Sequence, residues 1–219
     1  LDMQIAGGQT RVTDGVKIPI VVITGYGSVQ KEDCKTLKAA RPGQDIVLSK
    51  WIGLEGTFRA MREKEEELSE RFVPTFLNQI RQMESELFSA DAIAVAIQHG
   101  VSAMQQIIGG GILATLWEMA EASNVGMEVD LKQMAIRQET VEICEFCHLN
   151  PYQLTSAGSV ILFTERGEEL VQRYEELGVQ ATLLGRTTAD VARVILGGEE
   201  KRFLDRPAPD ELLKLYDIN

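Results

Sequence analysis

Three consecutive glycines, Gly109, Gly110 and Gly111, lead directly into a segment of helical periodicity. Apolar residues recur there at every third or fourth position, which predicts an amphipathic helix. Glycines just before a helix let bare backbone N–H groups approach a ligand, and the first helical turn adds unpaired donors and the positive end of the helix dipole. The pattern favours a site for a phosphate or a carboxylate. It is equally typical of a tight corner between a strand and a helix, and both interpretations stay open here.

Lys50 is a second residue whose position could serve a ligand. It ends an apolar run at residues 46–49 and stands immediately before Trp51, with Gly53 close behind. A cation at a strand end beside glycines can pair with an anion, although an ordinary surface lysine fits the pattern equally well.

Cys144, Cys147 and His148 form the letter pattern of c-type haem attachment. The first residues of the chain show no basic and apolar export signal, so we do not expect haem. Both cysteines fall on one predicted helical face with Ile143, which favours buried and inert thiols, with redox chemistry as the second interpretation. The other histidine, His99, is expected to cap a helix C-terminus, so we predict no metal site, and no catalytic residue is identified.

The composition limits the classes of function. The chain has 219 residues, 44% of them hydrophobic, and 22 basic against 33 acidic residues give a net charge of −11. This charge argues against nucleic acid or an anionic membrane surface as the main partner. No apolar stretch of about 20 residues is present, and three cysteines suit a reducing compartment, so we expect a cytoplasmic protein.

The elements that must position these residues alternate irregularly. Helices are expected after Gly53, from Pro74, and after the glycines. Further helices are expected at 90–98, 138–146, 167–177 and 210–216, and strands at 18–25, 45–51, 126–131, 159–164, 179–185 and 191–196. Regular βαβ units are absent from this order. The prediction is an α+β fold, a mixed or antiparallel sheet sandwich covered by helices.

Several segments, taken in order, resemble the aminoimidazole-ribonucleotide (AIR) synthase-related superfamily. The likeness is nearest to its hydrogenase-maturation type, which dehydrates a carbamoyl group. It covers roughly residues 40–206, most of the chain. The segments that carry it are 43–57, 99–112, 117–122, 136–144, 150–158, 185–186 and 197–204.

The resemblance implies a division of the chain and a set of functional residues. Residues 1–30 are expected to be the end of an N-terminal ATP-binding domain, and residues 31–219 the family's C-terminal domain. ATP and Mg²⁺ would bind the full-length protein but not this fragment alone. The partners implied are a small-molecule or carbamoyl-type substrate and a second copy, a homodimer formed through the N-terminal domain. Residues expected to face nucleotide or substrate are Lys50, Gly109, Gly110, Gly111, Ser156, Gly158, Gly7, Gly8 and Thr10.

The chain departs from the family pattern at positions that carry polar chemistry. Gln9 replaces a signature histidine, Gln106 stands where the family commonly has aspartate, and Ile108 where it has threonine. An amide cannot act as a base, and an isoleucine side chain donates nothing. The last residue is Asn219, whereas the dehydratases end in a modified cysteine. Three functions stay open: ATP-dependent activation of an amide or carbamoyl oxygen, a degenerate relative that binds a nucleotide or partner without catalysis, and a free-standing structural module.

Overall fold

The structure, a computed structural model, describes residues 3–31 and 34–216. The chain divides into two compact units between Cys34 and Lys35. In the first unit, the strand predicted at 18–25 is wrong. These residues have no strand conformation, and Ile20 and Ile23 are 70% and 89% exposed. A β-branched run forms a strand only when a second strand pairs with its backbone, and the described part of this unit provides none.

The second unit is built on a mixed sheet. Within residues 34–216 the sheet has seven strands in the order β2-β4-β1-β5-β3-β6-β7. Neighbouring strands are antiparallel except for β3 and β6, which are parallel. The strands are β1 Asp45–Ser49, β2 Ala103–Gln106, β3 Gly126–Asp130, β4 Val160–Thr164, β5 Ala181–Thr188, β6 Arg193–Gly197 and β7 Glu200–Phe203.

Helices cover the sheet, so the predicted α+β class is confirmed. They are α1 Leu54–Glu63, α2 Glu65–Arg71, α3 Pro74–Gln82, α4 Ala90–His99, α5 Gly111–Ser123, α6 Gln138–Cys147 and α7 Gly167–Glu176. Short 3₁₀ segments include Met83–Leu87, Pro151–Gln153 and Glu211–Tyr216. Among the described residues, no helix is both long enough and apolar enough to cross a membrane.

The central strand β1 is buried along its whole length because both of its faces are covered. Ile46 and Leu48 belong to the cluster that includes Leu116 of α5. Val47 points to the opposite face and belongs to the cluster of α4 and α7, where Tyr174 is buried. Successive side chains of a strand point to opposite faces of the sheet. Because helices cover both faces, β1 and its two ends lie between two helical layers.

The sequence did not predict β2 and β7. β2 reads Ala-Met-Gln-Gln and β7 reads Glu-Lys-Arg-Phe, so neither has the apolar alternation of a half-buried strand. Both are edge strands. They form because β4 and β6 offer backbone groups with which β2 and β7 can pair, and this pairing depends on the tertiary structure and not on the local sequence.

Candidate functional site

The glycine turn (residues 109–111) joins β2 to α5. Gly110 and Gly111 have φ of 83° and 69°, in the left-handed region that side chains other than glycine rarely adopt. The Gly111 N–H donates to Ile108 O at 2.9 Å, which closes the corner. A Cβ on Gly111 would lie 2.5 Å from Tyr152 O, so this glycine lets Pro151–Gln153 pack on the start of α5.

The N-terminus of α5 is in contact with the C-terminal part of the chain. The Gly110 N–H donates to Asp210 Oδ2 at 2.9 Å, and Asp210 Oδ1 accepts from the Leu212 N–H. A carboxylate therefore lies at the helix N-terminus, where the dipole favours negative charge. Beside it is a cavity of about 90 Å³, lined by Gly110 and also by Arg202 and Arg206. The cavity therefore has two arginines and one acid, Asp205, in its lining, next to an N–H that already binds a carboxylate.

Ser156 and Gly158 lie in the loop before β4. The Ser156 hydroxyl is buried, accepts from the Gly53 N–H at 2.6 Å and donates to Leu154 O at 2.9 Å. Gly158 has φ of 97°, and a Cβ there would collide with Glu86 O. Both residues hold neighbouring segments together by these contacts.

Lys50 lies in a different cavity from the glycine turn. Its φ is 62°, and its Nζ donates to Glu86 O at 2.6 Å and to Phe88 O. Burial lowers the pKa of the Lys50 ammonium, and the carboxylates of Glu86 and Asp91 act in the opposite direction. Lys50 lines a cleft of about 480 Å³ that shares no lining residue with the cavity at Gly110. The structure thus separates two groups of residues that the sequence analysis had combined.

Gly7, Gly8 and Thr10 lie in the first unit and are exposed. A Cβ on Gly7 or Gly8 would meet no atom within 4 Å. Their predicted role toward nucleotide stays a prediction.

The cysteine pair lies on α6 as predicted. Cys144 is buried, and burial raises the pKa of its thiol to about 12, so it is inert as a nucleophile at neutral pH. Cys147 is half-buried, and burial raises the pKa of its thiol as well. His148 ends α6 in the left-handed conformation at φ of 55°. Among the residues that the structure describes, no group of three His, Cys, Asp or Glu side chains is arranged to hold a metal ion.

His99 is the last residue of α4 and is buried. Its Nε2 lies 3.0 Å from Arg166 O, and Arg166 Nη2 donates to His99 O at 3.0 Å. The C-cap itself is Gly100, with φ of 86°. His99 therefore links the end of α4 to the start of α7.

The departures from the family pattern lie beside the glycine turn. Gln106 ends β2 and is half-buried, and Ile108 is 52% exposed. An exposed isoleucine stands where a hydroxyl would be expected. Between them, Ile107 is buried and its carbonyl oxygen accepts a hydrogen bond from the Ser156 N–H at 3.2 Å.

Two polar residues near these cavities were not selected by sequence reasoning. Asp210 binds the Gly110 N–H, and Arg137 stacks on Trp51 with its guanidinium carbon 4.9 Å from the ring centroid. Each contact joins residues more than 80 positions apart, so no local spacing could have revealed it.

A mixed sheet covered by helices, with a glycine turn that opens a central helix, defines the class of this protein as an α+β domain. Residues 41–197 match the family described as AIR synthase related protein, C-terminal domain, and the chain belongs to that family. Carbamoyl dehydratase HypE of Rhizobium leguminosarum bv. viciae is 30% identical over 192 residues, which cover 85% of this chain and 53% of the relative.

Solved structures agree in fold. The crystal structure of E. coli HypE, a hydrogenase maturation protein, matches with a TM-score of 0.62 at 18% identity, covering 83% of this chain and 55% of that one. A structure of hydrogenase maturation protein HypE in complex with ATP matches with a TM-score of 0.59 at 19% identity, covering 85% and 57%. The chain spans about half the length of the curated HypE relative and of these structures.

Proposed function

We propose that this chain is the C-terminal half of an ATP-dependent enzyme that activates an amide or carbamoyl oxygen. In this reaction the oxygen attacks the γ-phosphate, ADP leaves, and the phosphorylated oxygen becomes a leaving group for dehydration or ring closure. The proposal is supported by family membership and by the relative named as a carbamoyl dehydratase. A HypE structure of the same fold was solved with ATP. Within this proposal, residues 1–30 end an N-terminal ATP-binding domain through which two copies pair.

The observation that carries the proposal is the carboxylate on the Gly110 N–H. Asp210 Oδ2 accepts this bond at 2.9 Å, and Arg202 and Arg206 line the adjoining cavity. A turn that holds a carboxylate can hold a phosphate or substrate oxyanion by the same donors. We assign the anion to Gly109, Gly110 and Gly111. Ser156 and Gly158 position the surrounding loops by the contacts described above.

The described residues do not fit a Mg²⁺ site, because they bring together no cluster of carboxylates. The family resemblance implies an acidic metal site in the N-terminal domain, and we propose that Mg²⁺ would bind there.

The test measures ADP formation by the complete gene product that contains this chain, with and without a carbamoyl-bearing substrate. We expect ADP release to depend on that substrate. Gly110→Ala should lower kcat/KM at least tenfold, because a methyl group there meets Ala114 Cβ at 2.8 Å and strains the positive φ that presents the N–H. Gly109→Ala is the matched control, because it keeps the backbone N–H assigned to the anion and a Cβ there meets no atom within 4 Å. Equal activity of the two variants would overturn the assignment of the anion to this turn.

A second candidate function is a non-catalytic relative that binds a nucleotide or a partner. Specific observations favour it: Ile108 is exposed beside the turn, and Gln106 stands where the family commonly has an acid. On this alternative, the gene product binds ATP or its partner without any substrate-dependent release of ADP. The same assay therefore separates the two functions.

A further inference from the structure

The segment that follows β7 crosses the glycine turn, and we call its residues 205–216 the strap. Leu204, between β7 and the strap, still donates its N–H to Arg193 O at 2.8 Å. Residues 205–209 make no hydrogen bond with any residue that the structure describes, and Pro207 and Pro209 have no N–H to donate. The strap therefore begins with a segment that the hydrogen bonds of the domain do not hold.

The strap then passes close to Gly110. Ala208 O lies 3.0 Å from the position that a Cβ on Gly110 would take. Two residues further on, Asp210 Oδ2 accepts from the Gly110 N–H at 2.9 Å. The cavity of about 90 Å³ beside the turn is lined by residues 202–208 as well as by Gly110 and Leu113. The strap thus forms a wall of this cavity and fills the N–H at its edge.

Beyond Asp210 the strap is anchored mainly through one side chain. Leu212 is 3% exposed and belongs to the buried cluster of α1, α3 and α6, while residues 215–216 pack at the edge of that cluster. Glu211 accepts from the Asn150 N–H at 2.9 Å, and the Leu212 N–H donates to Asp210 Oδ1. Within residues 205–216, Leu212 is the one apolar side chain that is fully buried, so it supplies most of the apolar burial that keeps the strap closed.

The charges around the turn allow an external anion to compete with Asp210. Arg202 and Arg206 line the cavity and are exposed, and among the described residues their guanidinium groups pair with no acid. The two oxygens of Asp210 are used by the Gly110 and Leu212 N–H groups. A phosphate on the Gly110 N–H would gain the two arginines and would repel the Asp210 carboxylate. One N–H cannot serve both anions, so the binding of one excludes the other.

We propose that the strap is an autoinhibitory device. When it is closed, the Asp210 carboxylate fills the Gly110 N–H, and the strap must open before a phosphate or a substrate oxyanion binds there. This inference rests on the proposed function, because that function assigns the anion to the glycine turn. Coupling acts in both directions, so the contacts that close the strap weaken the anion, and the anion in turn opens the strap. Residues 205–209 act as the hinge, and Leu204 stays in place.

The experiment measures the binding of inorganic phosphate to the 219-residue chain at constant ionic strength. The amide signal of Gly110 in a ¹⁵N spectrum reports the bond at the turn. Hydrogen exchange of the Leu212 and Asn150 N–H groups reports whether the strap is closed, since both bind carboxylates of the strap. We expect phosphate to shift the Gly110 signal saturably and to speed both exchange rates, with Leu204 unchanged. A saturable shift at Gly110 without faster exchange in the strap would overturn the proposal.

Asp210→Ala should raise the affinity for phosphate about tenfold, because no bond to a carboxylate has to be broken before phosphate binds. Asp205→Ala is the matched control. Asp205 lines the same cavity, so this variant removes the same charge beside the arginines without freeing the Gly110 N–H. Circular dichroism confirms that each variant is folded. Equal phosphate affinities of the two variants would contradict the proposal.

Leu212→Ala weakens the anchor and leaves every charge in place. It should bind phosphate about threefold more tightly and exchange the Asn150 N–H faster, because less apolar burial opposes opening. Leu213→Ala is its control, since the Leu213 side chain is 46% exposed. Equal phosphate affinities of these two variants would also overturn the proposal.

The outcomes separate the strap from the proposed function. A wild-type chain that binds phosphate at Gly110 as tightly as Asp210→Ala does would refute the strap and leave the anion assignment intact. If neither chain binds phosphate at Gly110, the strap proposal fails together with that assignment. Substrate-dependent ADP formation by the complete gene product is decided by its own assay in either case.

Discussion

At the glycine turn, three neighbouring residues have three different surroundings. A Cβ on Gly109 has open space, on Gly110 it meets Ala114 and Ala208, and on Gly111 it meets the backbone of Tyr152 and Gln153. Backbone atoms cannot move aside as a side chain can. The loss of folding stability caused by adding a Cβ should therefore rise from Gly109 to Gly111. The three consecutive glycines therefore differ in how well each would tolerate a side chain.

Gly111→Ala should lower the free energy of unfolding by about 2 kcal/mol or more, because it combines a positive φ with a close backbone contact. Urea denaturation monitored by circular dichroism measures the loss. Gly109→Ala serves as the control and should change stability little. Similar losses for both variants would contradict the packing role of Gly111.

The thiols should differ in reactivity by burial. Cys34 is exposed, whereas Cys144 is buried with a pKa of about 12. Titration of the native protein with a thiol reagent at pH 8 should label Cys34 rapidly and Cys144 only after unfolding. A Cys34→Ser variant identifies the fast phase. Rapid labelling that persists in this variant at Cys144 would refute its burial.

At the scale of elements, a backbone N–H at the N-terminus of each of two helices donates to a carboxylate from a distant segment. The Gly110 N–H, at the N-cap of α5, donates to Asp210, and the Gly167 N–H of α7 donates to Asp45 Oδ2 at 2.9 Å. Neither N-cap residue supplies a capping side chain of its own. Long-range carboxylates therefore take over the capping that local residues do not provide.

Asp210→Ala should cost about 1 kcal/mol of stability, because it removes the carboxylate from the positive end of α5. Thermal and urea denaturation measure the change. Asp205→Ala is the control, since Asp205 is exposed in the same segment and makes no such contact. The capping role fails if the two variants are equally stable.

Asp45→Ala should cost more, about 2 kcal/mol, because Asp45 is buried and its removal leaves the Gly167 N–H without an acceptor. Arg186 pairs with the other oxygen of Asp45 at 2.8 Å but has a 69% exposed side chain, so Arg186→Ala should cost less. Comparing the urea midpoints of the two variants tests this order. The reverse order would show that the ion pair, and not the cap, is what stabilises α7.

At the scale of the whole molecule, the chain spans about half of its curated HypE relative. Its residues 41–197 match one domain of the family, and the ATP complex belongs to a longer protein of the same fold.

The chain alone should show no tight binding of Mg·ATP, because its described residues bring together no carboxylate cluster for the metal. Isothermal calorimetry on this chain and on a complete HypE relative measures the difference. Micromolar affinity of the chain alone would contradict the prediction.

Local patterns predicted most of the fold. Apolar runs predicted β1 and β4, and helical periodicity predicted α3 and α5. Pro74 predicted the start of α3, which begins at that residue. The failures were segments whose conformation depends on a neighbour. β2 and β7 form only because an edge is available, and residues 18–25 have no pairing strand among the described residues.

The sequence by itself determined the fold class, the core positions, the glycine turn and the burial of Cys144, because side-chain periodicity and glycine freedom are local properties. Only the tertiary structure decided that Lys50 and the glycine turn lie in separate cavities. It also decided that Asp210 occupies the Gly110 N–H and that Arg137 stacks on Trp51. These contacts join residues about 80 to 100 positions apart. Their geometry is set by how the layers pack, which no spacing within one segment records.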